Sequence, residues 1–109
     1  MKTWIRTFAT ATVLATVLAT VGSAHAQDAQ TLRVRSLAAT CANCHGSGGR
    51  AVEGAAVPGL AGMPAVYLVE QMKAFKSGAR QATVMHQISK GYNDAQIDQM
   101  AAYFAAQKK

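Results

Sequence analysis

A chain of 109 residues with a net charge of +6 has room for one small domain and leaves little for a second. Its Lys and Arg residues are scattered and not interleaved with aromatics, which argues against nucleic-acid binding. Two cysteines, both within one pentapeptide, exclude a disulfide framework of the kind that staples small secreted domains.

The first segment reads as a secretory signal. Lys2 and Arg6 give a positive start, Phe8 to Val21 an uncharged run of Ala, Thr, Val and Leu, and Ala24-His25-Ala26 a small-residue cleavage pattern. The run is shorter than the roughly 20 apolar residues of a spanning helix, so cleavage is expected and membrane anchoring is not. The expected organisation is a removed signal over 1–26 and one domain over 27–109, exported to the periplasm. Without Lys2 and Arg6 the charge falls from +6 to +4, a mildly basic surface.

Thr31 to Ala39 predicts a first helix, with Val34, Leu37 and Ala38 at helical spacing. It leads into Cys41-Ala42-Asn43-Cys44-His45, the Cys-x-x-Cys-His pattern of covalent haem attachment. Two thiols three positions apart on a helical turn can each form a thioether to one haem vinyl group. The next residue, His45, then faces the iron as its proximal ligand. A structural zinc site would need four Cys or His ligands, and His86 is the one further candidate. A thioredoxin-like pair would need strand–helix alternation, which is missing from the pattern. A Cys41–Cys44 disulfide remains open before attachment, and export to an oxidising compartment suits haem c. A buried macrocycle would also give so short a chain a core.

Gly46 to Gly62 is rich in Gly and Ala and is expected to form a tight loop against one haem face. A second helix is predicted from Pro64, as first helical residue, to a stop at Gly78, with Ala65, Leu68, Met72 and Phe75 inward. A third is predicted after Asn93 as N-cap, with Asp94 favouring the helix dipole and Ile97, Met100, Ala101, Phe104 and Ala105 inward. The class is therefore all-α.

A low-spin carrier needs a second axial ligand, and beyond the signal the candidates are Met63, Met72, Met85, Met100 and His86. Met72 and Met100 fall on inward helical stripes, where packing is the ordinary role. Met63 lies close to His45 in sequence. Met85 lies in the connection between the second and third helices and can approach the opposite face, so it is the favoured ligand. His86 is the alternative: its imidazole would lower the potential that a thioether raises, although a solvent-facing role suits it better. Arg80 is a candidate partner for a haem propionate, as a buried guanidinium favours a carboxylate.

From about Leu37 to Ala106 the chain resembles the small bacterial class I cytochromes c. The resemblance is carried by the pentapeptide, Pro58-Gly59-Leu60-Ala61-Gly62, Tyr67, Phe75-Lys76-Ser77-Gly78 and Met85. It implies three main helices around one haem, a Pro58 carbonyl accepting the ring N–H of His45, and Leu60 and Tyr67 packed at the haem. Ile88-Ser89-Lys90-Gly91-Tyr92 and Met100-Ala101-Ala102-Tyr103-Phe104 make it most similar to the cytochrome subunits of flavocytochrome c sulfide dehydrogenases. In that group a flavoprotein partner oxidises sulfide and passes electrons to the haem subunit. The chain would then relay electrons and hold no catalytic site of its own. Part of the tail pattern also fits plain packing of the last helix on the first, through Leu37, Tyr103 and Phe104.

Two functions stay open. A permanent subunit would hold a largely apolar interface. A diffusing shuttle would use salt-sensitive contacts, with Lys73, Lys76, Arg80 and Lys90 around the Met85 segment. A peroxidase acting alone would need an open iron position, which Met85 would fill.

Overall fold

Helix is the only regular structure among the described residues, as the all-α reading expected. The structure is a computed structural model in which residues 28–109 are described, so the expected signal over 1–26 lies outside them. The chain divides into the units Met1–Arg33 and Val34–Lys109. Of the first, the described residues 28–33 are helical. Beyond those helical residues, every feature that follows lies in the second.

Helix α1 runs through 28–45, and α2 (Ala65–Ser77), α3 (Met85–Ile88) and α4 (Asp94–Ala105) follow. Single 3-10 turns lie at Ser47–Gly49 and Ser89–Gly91. The expected end of the first helix at Ala39 is too early: α1 carries on through the pentapeptide to His45. No Pro or Gly interrupts Thr40 to His45, and Gly46 closes the last turn, its N–H donating to Ala42 O at 3.0 Å.

Pro64 precedes α2 as its N-cap and is not the first helical residue, because its ψ of 132° is extended. The helix stops at Gly78, whose left-handed φ of 83° is the ending that a Gly after the last apolar residue signals. At the start of α4, Asn93 Oδ1 accepts from Gln96 N at 2.9 Å while Gln96 Oε1 accepts from Asn93 N at 3.0 Å. This reciprocal capping satisfies two backbone donors that would otherwise lack partners. Helix α3 escaped the sequence reading because four residues are too few to show a period.

Ala38 of α1, Leu68 of α2, and Ile97, Met100, Ala101 and Phe104 of α4 form the buried apolar cluster. Leu37 and Tyr103 pack against this cluster, which holds residues of both the first helix and the last. Ala105, placed on the inward stripe, is only half-buried at its edge. Helix α2 packs against both α3 and α4.

The 46–62 loop is pinned at Gly49, whose carbonyl accepts from Leu60 N at 2.7 Å and Ala61 N at 3.0 Å. A Cβ on Gly49 would lie 2.8 Å from Phe104 Cδ1 and 3.0 Å from Ala61 N, on a backbone with φ +80°. Gly49→Ala combines a left-handed backbone with overpacking and is expected to cost about 2–4 kcal/mol. A denaturant titration reads this directly, and an unchanged midpoint would contradict it.

Candidate haem site

The end of α1, the 46–62 loop and helices α2, α3 and α4 enclose a cavity of about 370 Å³. Seven residues that the sequence reading placed at the haem line it: Cys41, Cys44 and His45 from α1, Pro58 and Leu60 from the loop, Tyr67 from α2, and Met85 at the start of α3. Most of the wall is apolar, and among the described residues Arg80 is the only lining side chain with a permanent charge.

His45 is buried, 9% exposed, with its Nδ1 2.7 Å from Pro58 O. A carbonyl oxygen can only accept, so Nδ1 carries the proton and donates it. That fixes the tautomer and leaves the Nε2 lone pair available to a metal. Cys41 is half-buried and Cys44 exposed, and both thiols are free. Burial pushes the Cys41 thiol upward, a hydrogen bond with Thr40 pulls it down, and the neighbouring Cys44 adds a smaller rise. No cluster of three or more His, Cys, Asp or Glu suited to a metal ion occurs among the described residues. An apolar cavity with two free thiols and an oriented imidazole on one wall fits a covalently attached macrocycle.

Four methionines line the cavity: Met63, Met72, Met85 and Met100. Met100 belongs to the buried cluster, and Met63 and Met72 pack against it. Met85 is half-buried and outside that cluster. His86 is absent from the cavity wall, but it is not solvent-facing as expected. It is half-buried, and its Nδ1 is buried with no hydrogen-bond partner among the described residues.

Arg80 is exposed, contrary to the buried guanidinium that the propionate reading assumed. It stacks over the Phe75 ring, 4.7 Å from its centroid, and donates to Gln71 Oε1. Of the other cations assigned to a docking patch, two share one carboxylate. Lys73 and Lys76 lie 3.7 and 3.4 Å from the Asp94 carboxylate, and Lys76 Nζ donates to Tyr92 O at 2.7 Å. Thr40, Gln71 and Tyr92 also line the cavity, and sequence reasoning gave them no part in it. Only adjacency to Cys41 could have pointed to Thr40.

The sequence profile of the family described as cytochrome c matches residues 32–108. The chain belongs to the cytochrome c family. The cytochrome accordingly carries haem c, attached covalently through Cys41 and Cys44. It is 41% identical over 71 residues to a thiosulfate dehydrogenase electron acceptor of Thiomonas intermedia, covering 65% of this chain and 33% of that one. It is 35% identical over 68 residues to the cytochrome subunit of sulfide dehydrogenase of Chlorobaculum tepidum, covering 62% and 60%. Cytochrome c-554(548) of Halomonas halodenitrificans is 35% identical over 72 residues, covering 63% and 86%. The chain spans about a third of the length of the thiosulfate dehydrogenase electron acceptors it matches. Among the described residues, no helix is long and apolar enough to cross a membrane.

Proposed function

We propose that the cytochrome is a periplasmic carrier of single electrons whose iron is held between His45 and Met85. It accepts those electrons as the haem subunit of a sulfide-oxidising flavoprotein complex. The observation that carries this reading is the convergence of His45, with Nε2 left free by Pro58, and Met85 on one apolar cavity. When bound, haem supplies a one-electron iron couple, and a thioether ligand raises its potential.

The chain's own residues do the rest. Cys41 and Cys44 anchor the group, the Pro58 bond fixes the plane of the His45 ring, and Leu60 and Tyr67 line the cavity as packing surface for the group. Likeness to the sulfide dehydrogenase cytochrome subunit supports the partner.

A second reading, a freely diffusing acceptor, is favoured by the 41% identity to the thiosulfate dehydrogenase electron acceptor. Size-exclusion chromatography of the native periplasmic protein, recorded at haem and flavin wavelengths, separates the two. The subunit reading expects haem and flavin in one peak that survives added salt. Haem alone near the mass of the mature chain overturns it in favour of the diffusing acceptor.

A further inference from the structure

We propose that Tyr92, clasped through its hydroxyl onto Thr40, is a positioning residue that keeps the Cys41 edge of the haem cavity closed to water. The proposal rests on haem filling this cavity and is independent of which partner supplies the electrons.

Thr40 immediately precedes Cys41 on α1, and Tyr92 immediately precedes the α4 cap Asn93. Their hydroxyl oxygens are 2.7 Å apart, and both residues line the cavity. The direction of the bond follows from counting protons. A hydroxyl has one, and Thr40 Oγ1 commits it to Leu37 O at 2.7 Å and not to the more distant Cys41 Sγ at 3.9 Å, so the Tyr92 phenol is the donor to Thr40 Oγ1.

The backbone of Tyr92 is also tied down. Its carbonyl accepts from Lys76 Nζ of α2 at 2.7 Å, and its N–H donates to Ser89 O at 3.3 Å. One side chain thus links α1 to a segment held by α2 and continuous with α4. Thr40 is exposed while Cys41 and Tyr92 are half-buried against the core, so the clasp lies where cavity meets solvent. Opening it would admit water beside the thioether at Cys41. Water stabilises the more highly charged oxidised iron, so a closed clasp holds the reduction potential up.

The test uses the full haem-loaded cytochrome, with attachment checked by its absorption spectrum and the potential measured by redox titration. Tyr92→Phe removes the donor and keeps the ring. Thr40→Val removes the acceptor at equal size, and Thr40→Ser keeps it. Both disabling variants are expected to lower the potential by the same amount, the double variant no further than either, and Thr40→Ser to match the native protein. A lower unfolding midpoint with an unmoved potential would reduce Tyr92 to packing and overturn the proposal, as would additive shifts in the double variant. A native protein without a haem spectrum would instead overturn the haem-filled cavity itself, and the clasp with it.

Discussion

The Cys41→Ala, Cys44→Ala double variant is expected to be largely unfolded, its far-ultraviolet circular dichroism showing a small fraction of the native helix signal. Of the seven buried apolar residues among those described, Ala38, Ala61 and Ala101 bring almost no side-chain volume. Helices α2 and α4 have 13 and 12 residues, lengths at which an isolated helix in water is marginal. Left unfilled, the 370 Å³ cavity deprives its largely apolar lining of packing partners and exposes it to water, a loss that a stability margin of about 5–15 kcal/mol absorbs poorly. The haem therefore completes the core, and the two thioethers hold it there. Near-native helix content in the double variant would show that the side chains suffice, contrary to this account.

Replacing Met85 by Ala is expected to abolish the thioether-to-iron charge-transfer absorption of the oxidised protein and to lower the reduction potential. Met72→Ala and Met100→Ala provide the controls. Met100 is 4% exposed within the buried cluster and Met72 packs on it. Their truncation is expected to cost about 2–5 kcal/mol of stability with the absorption intact. Met85 stands outside that cluster at the first turn of a four-residue helix, so its truncation removes a ligand more than it removes packing. If the band disappeared in Met72→Ala or Met100→Ala and survived in Met85→Ala, the assignment of Met85 would fail.

Helix α4 was legible in the sequence because Asn93, Asp94 and the stripe from Ile97 to Phe104 all point the same way, and three of its four buried positions are large apolar residues. Helix α2 was legible from its bounds, Pro64 and Gly78, although the proline sits one position earlier in the helix frame than expected. The far end of α1 was not, because Ala, Thr, Asn and Cys between Ala39 and His45 carry no apolar period. Helix α3 was missed for its brevity.

In the site, the pentapeptide fixed the cofactor through chemistry and spacing, without reference to any distant residue. Pro58 came from the resemblance alone, and no local pattern announces a carbonyl 13 residues away as the partner of a ring nitrogen. Thr40 and Tyr92 were illegible for a similar reason: their bond joins positions 52 apart, and neither residue breaks or extends a pattern where it stands. For the basic residues near Met85, sequence displays charges and hides their partners. Asp94 read as a helix-dipole residue, yet it also receives Lys73 and Lys76.

Iron-edge X-ray absorption of the native oxidised cytochrome tests the central claim most directly, because it reads the atoms bound to the metal. Ligation by His45 and Met85 predicts a shell of light nitrogen scatterers from the haem and one imidazole, together with one sulfur scatterer. A shell of nitrogen alone, from a second imidazole such as His86 or from a five-coordinate iron, would contradict it.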